Sequence, residues 1–205
     1  MSGLGGWLIF VAGGTAVTGG LLVLFDDRRI LVATMATQYL LVATLISSIL
    51  TPQIAGAKLL VGLIASGILL LYIRSMGWGA AGKFPSNIPF SRIFRFVSVF
   101  LVLLIAIGLS ENRWIVVEGL RSEIILSTTF LICFSLLHLG LCEEPIRVGI
   151  GLLTLLSGFE ITYSLIEPSL AVIGLLASVH VGIALVTGYL TLIQETDDVE
   201  SETLA

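Results

Sequence analysis

The sequence contains little charge. Of its 205 residues, 12% are Asp, Glu, Lys or Arg, whereas a soluble domain carries roughly 25%. It has only two cysteines, Cys133 and Cys142, and both lie in apolar sequence where they predict no disulfide framework. The motifs H-E-x-x-H and G-x-S-x-G, which mark zinc proteases and serine hydrolases, are absent. These shortages exclude a soluble enzyme, a nucleic-acid-binding protein and a disulfide-stapled secreted module.

Hydrophobic residues make up 57% of the chain, and its mean hydropathy is +1.09. A helix of about 20 apolar residues crosses the roughly 30 Å hydrocarbon core of a bilayer. The sequence predicts an all-α integral membrane protein with seven transmembrane helices, over residues 6–25, 30–50, 54–73, 93–109, 123–141, 148–166 and 170–193. No Lys or Arg precedes the first stretch and no A-x-A pattern ends it, so we expect a retained span and not a signal peptide.

The seven spans suggest two three-helix units joined by an extra helix. Residues 1–73 form the N-terminal unit and residues 123–194 the C-terminal unit. Residues 74–122 hold a linker loop, the fourth span and an outer loop. Residues 195–205 form an acidic tail, which we expect to be solvated and frayed because it contains acids and no base.

The basic residues predict the orientation of the chain. The loops of a seven-span protein alternate between two sides, and one side holds seven basic residues against two on the other. Because Lys and Arg concentrate in cytoplasmic loops, the N-terminus should lie outside and the acidic tail inside. We expect this orientation in the inner (cytoplasmic) membrane of the cell. The seven are Arg28, Arg29, Arg74, Lys83, Arg92, Arg95 and Arg147, and the two are Arg113 and Arg121.

Four polar residues fall deep within the predicted spans: Gln38, Lys58, Glu160 and His180. A charge at the bilayer centre costs about 2.5–3.5 kcal/mol on insertion scales, so each charge needs a reason. Gln38 and Lys58 are 20 residues apart, as are Glu160 and His180, and the two pairs repeat at an offset of 122. This spacing predicts that each pair lies at one depth on two antiparallel helices near the membrane midplane. We expect these four residues to line a proton path, with Glu160 exchanging protons and Lys58 setting the proton affinity of its neighbours.

Further polar residues accompany this set. Ser157, Tyr163 and Ser164 share a helix face with Glu160, and Thr187 lies on the face of His180. A polar stripe within a membrane faces protein or water and not lipid, so these four residues are possible supporting groups. The alternative is that all of these side chains only hold helices together by hydrogen bonds.

Two segments resemble a known membrane subunit. Ser157-Gly-Phe-Glu-Ile and Ala177-Ser-Val-His-Val-Gly-Ile-Ala-Leu are similar to the second and third helices of the K subunit of respiratory complex I. The C subunit of multi-subunit sodium/proton antiporters shares that pattern. Glu160 falls on the first glutamate of this family. His180 stands where the family has its second glutamate, so the residue type at this step of the proton path differs from that of the family.

The whole chain resembles hydrogenase-4 component E, which looks like two K-type units joined by an extra helix. In that comparison Gln38 and Lys58 match the N-terminal unit, and Asn87-Ile88-Pro89 is similar to the polar loop after its third span. The resemblance implies a non-catalytic membrane subunit of a redox-driven ion-pumping complex. It also implies contact with antiporter-like and other membrane subunits, and it implies no cofactor or metal in this chain.

Three other functions remain open at this stage. His138 and His180 are candidate axial ligands of a haem, although parallel helices would offset them by about 9 Å along the membrane normal. A standalone secondary transporter also fits internal repeats and midplane polar groups. A purely structural anchor predicts that Glu160 can be replaced without cost.

Overall fold

The computed structural model describes residues 3–75, 90–111, 121–166 and 169–203. These residues form seven α-helices and no β-strand, and each helix is long and apolar enough to cross a membrane. The prediction of a seven-span, all-α membrane protein is therefore confirmed. The helices are α1 (Gly3–Leu24), α2 (Arg28–Ile49), α3 (Pro52–Ser75), α4 (Phe90–Ser110), α5 (Ser122–Leu141), α6 (Pro145–Ile166) and α7 (Leu170–Thr203).

The helix ends follow the local sequence. Asp27 caps α2 by accepting a hydrogen bond from the backbone N–H of Arg29. Pro52 and Pro145 each begin a helix, where the missing N–H of proline costs nothing. The acidic segment that the sequence predicts to be a solvated, frayed tail continues α7 as far as Thr203.

The helices pack as two rows of three. In one row α2 contacts α1 and α3, and in the other α6 contacts α5 and α7. Across the rows α1 packs on α5, α2 on α6 and α3 on α7, while α4 packs outside against α5 and α1. Corresponding members of the two predicted three-helix units are thus neighbours. The division of the chain at residues 73, 122 and 194 stays a prediction.

Tyrosine rings lie directly on glycines between adjacent helices. The ring of Tyr39 in α2 covers Gly62 in α3, where an added Cβ would come within 2.3 Å of a ring atom. The ring of Tyr72 in α3 covers Gly188 in α7 in the same way, with a closest approach of 2.2 Å. Glycine is therefore needed at both positions because any side chain would overlap the ring.

We predict that Gly62→Ala lowers the free energy of unfolding by about 1–3 kcal/mol, the usual cost of overpacking a buried contact. The added methyl group would push the Tyr39 ring away from α3. Thermal unfolding of the purified protein in detergent measures the effect. Gly67→Ala, on the same helix with no atom within 4 Å of the new Cβ, is the matched control. Equal stability of the two variants would contradict this packing.

Two apolar clusters occupy opposite ends of the helix array. One includes Leu8, Ile46 and Ile124, and the other includes Leu31, Leu69 and Ile150. The predicted polar residues lie along the helices between these ends. The fold therefore encloses these residues between the two apolar clusters, with Lys58 and Glu160 about 9 Å from the nearest ends of their helices.

Candidate functional site

Three of the four predicted site residues meet between α3, α6 and α7. Lys58, Glu160 and His180, which we name the central cluster, are respectively 2%, 3% and 0% exposed. Lys58 Nζ donates a hydrogen bond to Glu160 Oε2 and forms an ion pair with it. The same Nζ lies 2.8 Å from His180 Nε2, which is 3.9 Å from Glu160 Oε2. The contact between Lys58 and Glu160 joins the two halves of the chain.

The hydrogen bonds assign the tautomer of His180. Its Nδ1 lies 2.9 Å from the backbone oxygen of Leu176, one turn earlier in α7. A carbonyl oxygen only accepts, so Nδ1 carries a hydrogen and donates it. Nε2 then has a lone pair and accepts from the Lys58 ammonium. The cluster therefore holds one cation, one anion and a neutral imidazole whose lone pair faces the other two groups.

Tyr39 is a member of the site that the sequence did not reveal. Its ring meets the His180 ring edge-on, with centroids 6.0 Å apart, and Lys58 Nζ lies 5.3 Å from the Tyr39 centroid. A cation at that distance is attracted to the aromatic face. The available signal was its position beside Gln38, but a tyrosine in a span is ordinarily a packing residue.

Gln38 does not join the central cluster. It is 2% exposed, and its Oε1 accepts a hydrogen bond of 3.1 Å from Thr154 in α6. The expectation that Gln38 and Lys58 lie at one depth was wrong because the turn between α2 and α3 falls later than the midpoint of the pair. Gln38 lies about 16 Å along α2 from this turn and Lys58 only about 9 Å along α3, at about 1.5 Å per residue.

Of the four supporting residues, only Ser157 reaches the cluster. Its Oγ lies 3.5 Å from His180 Nε2. Ser164 donates to the backbone oxygen of Glu160, and the half-buried Tyr163 packs its ring on Phe159 with centroids 5.8 Å apart. The Thr187 side chain contacts α6 at Gly149 and is buried away from the cluster.

A cavity of about 180 Å³ opens beside the central cluster. Lys58, Glu160 and His180 all line it, and its other walls are apolar residues of α3 and α7, among them Ala57 and Ile173. Ile173 lies near the start of α7, so the cavity extends from the cluster toward the end that carries the α2–α3 and α6–α7 turns. Toward the other end, the apolar cluster with Leu31, Leu69 and Ile150 separates the site from that surface. Ala57 and Gly174 in its wall are exposed, so the cavity opens between α3 and α7 at the outer face of the bundle.

A second polar group, which we name the ionic network, lies at that other end. Asp26 Oδ1 pairs with Arg95 Nη1 at 2.6 Å and with Arg147 Nη2 at 2.7 Å. Glu144 pairs with Arg28 at 2.6 Å and with Arg147 at 3.2 Å. Burial alone would raise the pKa of Asp26, but Arg95 and Arg147 outweigh it and lower this pKa below its usual value. The network ties α2, α4 and α6 to the two short turns beside them.

Arg147, fully buried, also links this network to His138 and Cys142. His138 Nε2 lies 3.1 Å from the backbone oxygen of Arg147, and Cys142 Sγ is 3.9 Å from His138 Nδ1. Burial raises the pKa of the Cys142 thiol, so it remains protonated and donates to this imidazole. The spacing of four residues places His138 and Cys142 on one face of α5, whereas the contacts of Arg147 join the start of α6 to the end of α5 and are not indicated by the sequence.

The haem alternative is not supported by this geometry. His138 belongs to the contacts around Arg147 and His180 belongs to the central cluster, so the two imidazoles share no pocket. In the described part of the chain, no group of three or more His, Cys, Asp or Glu side chains is placed to hold a metal ion. Asn87, Ile88 and Pro89, which contribute to the resemblance, lie outside the described residues.

Comparisons with protein-family models, with curated proteins and with solved structures found no match for this chain. The resemblance noted in the sequence therefore rests on its short motifs alone.

Proposed function

We propose that this multi-pass membrane protein carries protons through the middle of the bilayer, as a non-catalytic subunit of a redox-driven ion-pumping complex. The observation that carries the proposal is the buried contact of Lys58, Glu160 and His180 beside a cavity. Glu160 exchanges the proton, and the Nε2 lone pair of His180, which accepts from Lys58, offers a second acceptor. Lys58 holds the two acceptors together and compensates the carboxylate charge.

The energetic cost of the ion pair favours a functional role. Removing two charges from water costs several kcal/mol per ion, and apolar residues of similar volume often give equal or greater stability. The cost is no smaller within a membrane, where charged residues face the interior of a bundle and mark ion pathways. A protein that needed only adhesion between α3 and α6 would hold these helices more cheaply with apolar side chains.

The contents of the site favour a proton over a larger substrate. The Lys58 ammonium already occupies the side of the Glu160 carboxylate that a sodium ion would need. A cavity of about 180 Å³ is also smaller than the roughly 300–1,000 Å³ of pockets that hold organic ligands. Both features disfavour a standalone transporter of organic solutes. They leave the transfer of protons as the chemistry that this site supports best.

The resemblance to hydrogenase-4 component E and to the complex I K subunit supplies the proposed partners, which are antiporter-like and other membrane subunits. The site itself holds three polar groups beside one small cavity, and the apolar cluster with Leu31, Leu69 and Ile150 lies between it and the end that carries the ionic network. A proton path across the whole bilayer would therefore need a neighbouring subunit. The redox chemistry would then belong to other subunits.

Purification in mild detergent tests the proposed assembly. We expect the chain to co-purify with larger antiporter-like membrane proteins, and we expect the isolated chain to transfer no protons in proteoliposomes. A monodisperse monomer that transports ions by itself would contradict the subunit assignment and favour a standalone transporter.

The proposed orientation places the ionic network at the cytoplasmic face of the inner membrane. Thr51 and Ser75 mark the two ends of α3 and are both exposed. In a background lacking Cys133 and Cys142, we predict that Thr51→Cys reacts with an impermeant thiol reagent in intact cells. Ser75→Cys should react only after the membrane is permeabilised. The reverse labelling pattern would overturn the orientation without changing the fold.

A further inference from the structure

Two buried polar atoms near the central cluster make no hydrogen bond of 3.5 Å or less within the described residues. They are Nε2 of Gln38 and the hydroxyl oxygen of Tyr39, and both residues are 2% exposed. More than about 90% of buried polar groups in proteins are hydrogen-bonded to protein or to ordered water. The cost of an unmade hydrogen bond is greater in a membrane, where lipid offers no partner. Two such atoms on adjacent residues therefore indicate a bound ligand that can donate and accept.

These two atoms lie further from the α2–α3 and α6–α7 turns than Lys58 and Glu160 do. Lys58 and Glu160 lie about 9 Å from the nearest ends of their helices, and His180 and Tyr39 lie about 15 Å from theirs. The Tyr39 hydroxyl makes only a weak contact with Ser157, whose Oγ is 3.5 Å from His180 Nε2. Polar atoms thus lie at successive depths in the bundle, from the cavity past His180 to α2.

The line ends at the contact between Gln38 and Thr154. Thr154 donates to Gln38 Oε1, so the amide is held in one orientation and its Nε2 hydrogens remain available. Beyond this contact, Arg147 of the ionic network is about 10 Å further along α6, and the apolar residues Ile150 and Leu153 lie between. Gln38 therefore lies at the edge of the apolar layer, and Thr34, one turn further along α2, is the next buried polar residue on that helix.

We propose that Gln38 and Tyr39 hold internal water and that this hydrated site extends the proton path from the central cluster to the contact between α2 and α6. Water fits the requirement because it donates to the tyrosine oxygen and accepts from the glutamine amide. The cavity of about 180 Å³ has room for water, at roughly 30 Å³ per molecule in the liquid. Neither Gln38 nor Tyr39 lines it, so water would reach them past His180, whose ring meets the Tyr39 ring. Gln38 and Tyr39 are then positioning residues that hold water in line with His180 and Ser157.

The role in proton transfer rests on the proposed function, whereas the binding of water does not. The test uses the assembled complex and the variants Tyr39→Phe and Gln38→Leu. Tyr163→Phe is the matched control. It makes the same chemical change on α6, where the Tyr163 ring packs on Phe159 and lies outside the cluster. Infrared difference spectra, recorded on acidification in ordinary water and in H₂¹⁸O, identify the stretching bands of bound water by their isotope shift.

We expect Tyr39→Phe and Gln38→Leu each to lose water bands that Tyr163→Phe retains. We also expect Tyr39→Phe to slow proton transfer by at least about tenfold, because a positioned donor is lost from the chain of transfer. Unchanged water bands in both variants, with a melting temperature raised by Tyr39→Phe, would show that the hydroxyl is simply unsatisfied and would overturn the hydrated site.

The two proposals can fail separately. If Glu160→Gln stops proton transfer while Tyr39→Phe and Gln38→Leu leave both transfer and water bands unchanged, the hydrated site is wrong and the proposed function stands. If Glu160→Gln has no effect on transfer but the water bands disappear in the Tyr39 and Gln38 variants, the hydrated site exists and the proton path does not.

Discussion

Glu160→Gln should reduce proton transfer by the assembled complex by about 10²-fold or more, the usual contribution of a positioned proton-transfer group. The substitution keeps the shape of the side chain and its capacity to accept from Lys58, but the amide does not exchange a proton with the cavity. The measurement is the rate of proton uptake into membrane vesicles, divided by the amount of assembled complex.

Glu143→Gln is the matched control for this experiment. Glu143 is an exposed carboxylate just before α6, so its loss removes the same charge from the chain without touching the cavity. We expect its proton uptake per complex to equal that of the natural sequence. A structural role for Glu160 predicts less assembled complex in the Glu160→Gln variant with unchanged uptake per complex, which is the opposite pattern.

Replacing either member of the central ion pair alone should destabilise the protein more than replacing both. Lys58→Met leaves the Glu160 carboxylate buried without its cation, and Glu160→Met leaves the ammonium without its anion. Breaking a buried pair in this way costs about 3–5 kcal/mol, whereas replacing both members by apolar residues is often neutral or stabilising. We therefore predict that Lys58→Met/Glu160→Met is more stable than either single variant.

A double-mutant cycle of unfolding free energies in detergent measures this coupling. Lys58→Met combined with Glu143→Met provides the control, because Glu143 is exposed and lies at the end of the bundle away from the cavity. The effects of that control pair should add. Additive effects for Lys58 and Glu160 as well would contradict a direct ion pair between them.

The sequence predicted the spans well because apolar length and charged turns determine where helices cross the bilayer. The observed helix boundaries differ from the predicted ones where a capping residue or a proline, and not hydropathy, determines the end of the helix. Asp27 and Pro145 start their helices earlier than the apolar runs do, and the acidic segment extends α7 to Thr203. Hydropathy cannot predict that a helix continues into an acidic segment, because it scores only the apolar part.

The candidate site could be predicted only in part. Polar side chains are costly to bury in a membrane, so Lys58, Glu160 and His180 could be predicted as site residues from the sequence. The structure brings all three together. The shared depth of Gln38 and Lys58 failed because it depended on the exact position of one turn. Tyr39 could not be found from sequence, since its role comes from the packing of its ring on Gly62 of a neighbouring helix.

The central claim is that Glu160 takes up and releases a proton while buried against Lys58. Infrared difference spectroscopy of the assembled complex tests it most directly, because the carbonyl stretching band of a protonated carboxylic acid lies at a higher frequency than the bands of a carboxylate or an amide. Our account predicts such a band on acidification of the natural sequence and of Glu143→Gln, and its loss in Glu160→Gln. A band that persists unchanged in Glu160→Gln, or no band in the natural sequence, would contradict the claim.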